Sequence, residues 1–256
     1  MKAIILAAGV GQRLQQPQGE RFPKCLLRFD GRTLLERHLR LLREAGIEEV
    51  VLGLGYAHEQ VEAELDRLGW QPRPRIVLNP EYRLGSVLTV HAVAEALRAG
   101  EEVLLFDADV LYDARIMQAL TQGSSGSRVL LDRDFEAGDE PVKLCIRDGR
   151  PVELRKRVDP ALRYDTVGES VGFFRFDAAA ACRLADIVAD YVTNGRADQP
   201  HEEAVRDFLL EGRHAVAVSD VTGLPWIEID FPQDVVRARD DVLPTLQPLT
   251  SEIRQA

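Results

Sequence analysis

Met1-Lys2-Ala3-Ile4-Ile5-Leu6-Ala7-Ala8-Gly9-Val10-Gly11-Gln12-Arg13-Leu14 opens the chain, and Phe22-Pro23-Lys24 closes the segment it begins. Ala3 to Ala8 is a short apolar run that reads as a buried strand. It breaks into a loop with Gly9 and Gly11, where backbone N–H groups can approach and cradle phosphate oxygens. Arg13 and Lys24 then bring two cations to the same mouth. A glycine loop followed by an Arg and a Lys, directly after a first strand, suits a triphosphate. The loop is not a Walker A motif, because no Gly-Lys-Ser/Thr follows. It is not the dinucleotide fingerprint either, since Leu14 stands where the third glycine would be. Two glycines alone are equally well explained by a tight strand-to-helix turn with an Arg on its surface.

Downstream, strands and helices alternate. The periodicity predicts a helix over 34–45 ended by Gly46, a strand over 49–53, a helix over 58–68 and a strand over 75–78. A helix over 86–99 stops at Gly100, and a buried strand over 103–106 delivers Asp107-Ala108-Asp109. This order argues an α/β fold: a three-layer, Rossmann-like sheet, mixed but mostly parallel, with ligands at the carboxyl ends of its strands. From Gly123-Ser124-Ser125-Gly126-Ser127, a flexible loop, the texture changes. Short strands over 128–132, 142–147 and 151–155 read as an antiparallel insertion, 128–157, that covers the site. A strand over 168–176, helices over 178–194 and 202–211, strands over 215–220 and 226–229, and a helix over 232–243 complete the chain. The last dozen residues read as a frayed tail. One domain over 1–256 is expected at this length.

The apolar fraction of 45% suffices for a full core, and the net charge of −10 disfavours nucleic acid or an anionic membrane as partner. Neither forbids a local basic pocket. Cys25, Cys145 and Cys182 lie far apart without metal-ligand spacing and read as reduced residues of a cytoplasmic protein. No stretch has the length of a membrane span and no signal peptide is evident. The five histidines have no triad or metal spacing; His38 and His91 fall inside predicted helices and read as structural or surface residues.

Asp109 and, much later, Asp230 in Trp226-Ile227-Glu228-Ile229-Asp230 each end an apolar strand. Two carboxylates at adjacent strand ends can share Mg²⁺, which prefers oxygen ligands. Taken singly, either Asp also suits a helix cap.

Leu6-Ala7-Ala8-Gly9-x-Gly11-x-Arg13-Leu14 with Pro23-Lys24, Asp107-Ala108-Asp109 and Glu228-Ile229-Asp230-x-x-Gln233-Asp234 together resemble the nucleotidyltransferases that activate sugar phosphates and phospho-alcohols. The pattern is most similar to phosphocholine-type and phosphonate-type cytidylyltransferases. The segment 15–22 is polar, lacks the Thr common in that family and is slightly longer. The resemblance implies the nucleotide-diphospho-sugar transferase fold and a reaction between CTP and a small phosphorylated or phosphonate alcohol. It implies that the glycine loop (Leu6, Ala7, Ala8, Gly9, Gly11), Arg13 and Lys24 hold the NTP phosphates. It implies Mg²⁺ on Asp109 and Asp230, and Asp107 orienting the loop or a metal-bound water. By the same resemblance, Asn79, Gly85 and Ser86 contact base and ribose, although Ser86 equally caps the next helix. Lys143 or Lys156 would neutralise phosphate from the lid, although either could be solvated charge. Glu169, in Gly168-Glu169-x-x-Gly172, would border the acceptor pocket, and so would an acid from Glu202-Glu203, Glu203 in particular, although the start of a helix suffices to explain both acids. An acid there suits an ammonium-bearing acceptor, while the scarcity of nearby aromatics weighs against phosphocholine. A homodimer is kept in view; no segment fixes the oligomeric state. A sugar-1-phosphate nucleotidyltransferase is the nearest rival. A non-catalytic nucleotide-binding relative is the rival from another class, and a nicotinamide enzyme is a distant third, disfavoured by Leu14.

Overall fold

A nine-stranded sheet brings the glycine loop and Asp107-Ala108-Asp109 to one edge, and a separate two-stranded sheet, Val110–Tyr112 with Trp226–Glu228, brings in the late acidic segment. The computed structural model describes residues 1–14, 22–123, 126–136 and 138–249. Parts of two loops read from the sequence, 15–21 and 124–125, and residues 250–256 of the expected tail lie outside the described residues. In chain order the elements are β1 (Lys2–Ala7), a 3-10 turn (Lys24–Leu26), β2 (Arg28–Phe29), β3 (Arg32–Thr33), α1 (Leu34–Glu44), β4 (Val50–Leu54), α2 (His58–Leu68) and β5 (Arg75–Leu78). Then come α3 (Val87–Ala92), α4 (Ala94–Leu97), β6 (Val103–Asp107), β7 (Val110–Tyr112), α5 (Ala114–Thr121), β8 (Ser127–Asp132), β9 (Lys143–Arg147) and β10 (Arg150–Arg155). The rest are β11 (Thr166–Phe176), α6 (Ala178–Thr193), α7 (His201–Glu211), β12 (Val216–Asp220), β13 (Trp226–Glu228) and α8 (Pro232–Arg237).

The main path through the sheet is β10-β9-β11-β6-β1-β4-β5, with β8 and β12 branching from β11. Pairings β1–β4, β1–β6, β4–β5 and β8–β12 are parallel; β11 runs antiparallel to β6, β8 and β9. Strand β1 explains its own position. Ala3 and Ile5 face one apolar layer and Ile4 and Leu6 the other, so an uninterrupted apolar run is what a strand covered on both faces requires. Helices α3, α4, α6 and α7 cover one face and α1, α2 and α5 the other. Helix α1 starts where Thr33 Oγ1 accepts from Glu36 N, 3.1 Å away.

Three expectations change. The strands expected as an antiparallel insertion, β8, β9 and β10, all lie in the main sheet, and β8 pairs antiparallel with β11 and parallel with β12. The helix expected over 86–99 breaks at Val93, whose backbone (φ −89°, ψ 9°) leaves the helical region between α3 and α4. The terminal helix ends at Arg237 and continues as a π turn over Ala238–Val242. Elements of two to three residues (β2, β3, β7) and helix α5 went unread, the strands because they are too short to carry a period.

Candidate active site

Strands β1 and β6 are parallel neighbours with Leu6 beside Asp107, so their carboxyl ends open at one place. Strand β13 arrives there through its antiparallel pairing with β7, in which Glu228 lies opposite Val110. The Ile229 N–H donates to the Asp109 carbonyl at 3.0 Å and ties the two acidic segments together. Asp234, in the first turn of α8, accepts from the backbone N–H of Asp230 at 3.0 Å and of Phe231 at 2.7 Å. Asp230 is therefore held by the helix start and does not cap it.

The glycine loop borders a cleft of about 360 Å³, with Leu6, Ala7, Gly9, Gly11, Arg13, Lys24, Asp109 and Asp230 in its wall. Gly11 adopts φ +62°, and a Cβ there would meet Lys24 Cγ at 3.1 Å. Glycine thus provides both the turn and the room for the lysine stem. The Lys24 ammonium donates to Asp109 Oδ2 at 2.8 Å and to Asp230 Oδ1 at 2.7 Å. Arg13 pairs with Asp230 at 3.1 Å and with Glu140 at 3.2 Å. Glu140 also takes the Lys156 ammonium at 3.1 Å, so one carboxylate bridges two phosphate-binding candidates.

Charge in the cleft is tightly coupled. Burial works to lower the Lys24 ammonium, but the charges of Asp109 and Asp230 and their hydrogen bonds outweigh it and raise it. Burial works to raise Asp230, and the charge and hydrogen bond of Lys24 overcome it, so Asp230 stays ionised below the usual range. Asp107 moves up, first by burial and then through the charges of Asp109 and Glu202. Glu228 moves up as well: its residue surface is open, but protein packs around the carboxyl, and Asp109 and Asp230 add repulsion. Burial, then the charge of Asp132, pushes Glu169 up to about 7.

Asp109, Glu228 and Asp230 present oxygens that lie within 4.8 Å of one another. These donors fit a divalent cation: they are hard oxygens, and an ammonium already lies between two of them as counter-charge. The sequence motif alone assigns Glu228 no role. Its spacing of two from Asp230 at the end of a strand, which puts both side chains on one face, was the available signal.

Several expected contacts go elsewhere. Asn79 is 3% exposed; its Nδ2 donates to Thr89 Oγ1 at 3.1 Å and its Oδ1 accepts from Glu81 N at 2.9 Å, so the amide is buried and bonded within the protein. At Gly85 a Cβ would lie 2.5 Å from the Gln199 carbonyl oxygen and 2.6 Å from that of Ala197, so its closest approach is to the protein's own loop. The Ser86 hydroxyl does not cap its own helix: it accepts from His201 N at 2.8 Å and thereby caps α7. Lys143 donates to the carbonyls of Gly138 at 2.6 Å and Lys156 at 2.7 Å, a staple between the ends of β9 and β10. Both Glu203 oxygens are held by Arg155, at 2.9 and 2.6 Å. Ala8 is buried and its carbonyl accepts from Tyr56 N.

The acid next to Asp107 is Glu202, the neighbour of Glu203. Glu202 lies close enough to Asp107 to shift it, and His201, 2% exposed, has its Nε2 3.7 Å from Asp107 Oδ2. Glu202 Oε2 is 3.1 Å from His201 Nδ1, a nitrogen that also meets the Ser86 hydroxyl at 3.1 Å. Buried His201 Nε2 and Glu202 Oε2 are left without a hydrogen-bond partner.

A family model described as a MobA-like NTP transferase domain matches residues 3–166, from β1 into the start of β11. The chain belongs to that family. The nucleotidyltransferase resemblance read from the glycine loop and the acidic motifs is thus correct. Among relatives, the chain is 30% identical over 244 residues to the bifunctional IPC transferase and DIPP synthase of Rubrobacter xylanophilus, covering 94% of this chain and 52% of that protein. It is 26% identical over 238 residues to the CMP-5'-(3-aminopropyl)phosphonate synthase of Streptomyces rubellomurinus, covering 91% of this chain and 37% of that one. The chain thus spans about half the length, or less, of these curated relatives. Among solved structures, the inositol-1-phosphate CTP transferase from T. maritima superposes with a TM-score of 0.71 at 23% identity, over 91% of this chain and 90% of that one. This is the nucleotidyltransferase fold expected from the sequence. Among the described residues, no helix is long and apolar enough to cross a membrane.

Proposed function

We propose that the chain is a Mg²⁺-dependent cytidylyltransferase that joins CTP to a small phosphorylated or phosphonate alcohol, releasing pyrophosphate. The observation that carries this reading is the convergence of Arg13 and Lys24 with Asp109, Glu228 and Asp230 at the mouth of the glycine loop. The loop and its two cations would bind the triphosphate. An oxygen of the acceptor phosphate or phosphonate attacks the α-phosphorus in line, the bond from that phosphorus to the bridging oxygen breaks, and pyrophosphate leaves with the electron pair. Arg13 and Lys24 neutralise the leaving group, and Lys156 would follow once phosphate displaces Glu140. Asp109, Glu228 and Asp230 would hold Mg²⁺, which when bound offsets charge developing on phosphate oxygens. Positioning and charge neutralisation supply the rate, so no covalent intermediate is needed.

CTP is preferred because the Streptomyces relative is named for a CMP product. An amino acceptor is favoured over a purely anionic one by the two carboxylates, Asp107 and Glu202, beside the unpartnered His201 Nε2. Glu169, on β11 beside Asp132 and Lys143, would be a further acid bordering the acceptor. Three free cysteines support a reducing, cytoplasmic setting. The test is pyrophosphate release with Mg²⁺ across the four NTPs and a panel of phosphocholine, 2-aminoethylphosphonate, inositol phosphate and hexose 1-phosphates. Release with CTP and an amino acceptor supports the reading. Release only with UTP, dTTP or GTP and a sugar phosphate would move the chain to the sugar branch. Nucleotide binding without release anywhere would favour a non-catalytic relative.

A further inference from the structure

His38, in the middle of α1, is fully buried and lines no part of the cleft. Its Nε2 lies 3.0 Å from the carbonyl oxygen of Ala108, the residue between Asp107 and Asp109. Its Nδ1 lies 3.5 Å from the Tyr112 hydroxyl. A carbonyl can only accept, so Nε2 carries the proton. Burial pushes the imidazole down to about 4, which keeps it neutral and leaves Nδ1 free to accept from Tyr112. The ring is locked in place, stacked on Tyr112 at 5.5 Å and edge-on to Phe106 at 5.6 Å.

The place where this bond lands is unusual. Strand β6 ends at Asp107 and β7 begins at Val110, so sheet pairing lapses over Ala108 and Asp109. The Ala108 N–H donates to the Leu6 carbonyl at 3.1 Å. His38 holds the other end of the same residue, its carbonyl, and that carbonyl begins the peptide leading into Asp109. Groups that orient a metal-binding carboxylate from behind typically change metal affinity 10–100-fold when removed, on the order of what a direct hydrogen bond contributes.

We propose that His38 is a positioning residue: through the Ala108 carbonyl it fixes the Asp109 carboxylate, so that divalent-cation affinity depends on a side chain of α1 that never enters the cleft. The inference rests on the reading of Asp109 as a metal ligand. The bland alternative is a core histidine that only fills space. His38→Leu removes the donor at similar volume, whereas His38→Gln can place an amide N–H near the position of Nε2, and His38→Asn reaches only the position of Nδ1. Manganese affinity is measured on the resting protein by electron paramagnetic resonance, without nucleotide, together with the melting temperature. The expected result is about tenfold weaker Mn²⁺ binding in the Leu and Asn variants, with Gln restored to within about threefold of wild type. If Leu fails to fold, the Asn–Gln pair carries the comparison. Wild-type affinity in a folded Leu or Asn variant would overturn the proposal. So would equal weakening in all variants in step with their loss of melting temperature, which marks a packing role. A wild-type protein that binds no Mn²⁺ would instead overturn the metal assignment of Asp109, and the inference with it.

Discussion

Lys24→Met separates two roles that the cleft assigns to one ammonium. In the structure Lys24 bridges Asp109 and Asp230 at 2.8 and 2.7 Å, with the three side chains only 16–20% exposed. A hydrogen bond to a charged group contributes about 1.5–3 kcal/mol, and removing one partner of a buried ion pair costs about 3–5 kcal/mol. Water at the mouth of the cleft reduces that to about 1–3 kcal/mol. The metal-free variant should therefore be less stable by that amount, because Asp109 and Asp230 lose the cation between them. A divalent cation, no longer competing with the ammonium, should bind one to two decades more tightly, at about 1.4 kcal/mol per decade. Turnover should move the other way. Loss of a cation aimed at the leaving phosphates should slow it about a hundredfold to a thousandfold. Calorimetry with and without Mg²⁺, a Mn²⁺ titration and pyrophosphate release measure the three quantities on one preparation. Weaker cation binding in the variant, or turnover within a few-fold of wild type, would refute the reasoning.

Other consequences are equally direct. Asp109→Ala should abolish pyrophosphate release while the melting temperature stays near that of wild type; retained release would remove Asp109 from the site. Glu169, raised from its ordinary value of 4.5 to about 7, ionises late. If its anion attracts an ammonium acceptor, acceptor KM should fall as pH rises through 7, and Glu169→Gln should flatten that profile. Because the folded state holds this proton more tightly than the unfolded one, the group costs stability as pH rises from about 4.5 to about 7. The Gln variant should thus gain melting temperature relative to wild type over that interval. Gly85→Ala would drive a methyl group into the backbone carbonyls of Gln199 and Ala197, and urea titration should show a loss of about 1–3 kcal/mol.

The parts of the fold that were legible are those where burial writes itself into long apolar patterns. Strand β1, helix α2 and strand β6 were legible within a residue or two, and the two strands deliver their chemistry at their carboxyl ends. The cations Arg13 and Lys24 and the acids Asp109 and Asp230 meet as their position after those strands suggested. Legibility failed where one residue serves a distant partner. Gly85 makes room for residues 197–199, and Ser86 caps α7, which begins at His201; no local pattern records either. The choice between Glu202 and Glu203 depends on Arg155, which holds Glu203 away on β10. Glu228 was within reach, since the alternation of β13 puts it on the face of Asp230.

The central claim is that CMP is transferred from CTP to a phosphorylated or phosphonate acceptor at the Asp109–Asp230 cleft. Phosphorus NMR of a reaction containing CTP, Mg²⁺ and 2-aminoethylphosphonate or phosphocholine tests it most directly. The account predicts a new α-phosphorus resonance coupled to the acceptor phosphorus, with one pyrophosphate per conjugate, and neither product from Asp109→Ala. Pyrophosphate accompanied by free CMP alone, or an unchanged CTP spectrum across acceptors and nucleotides, would contradict it.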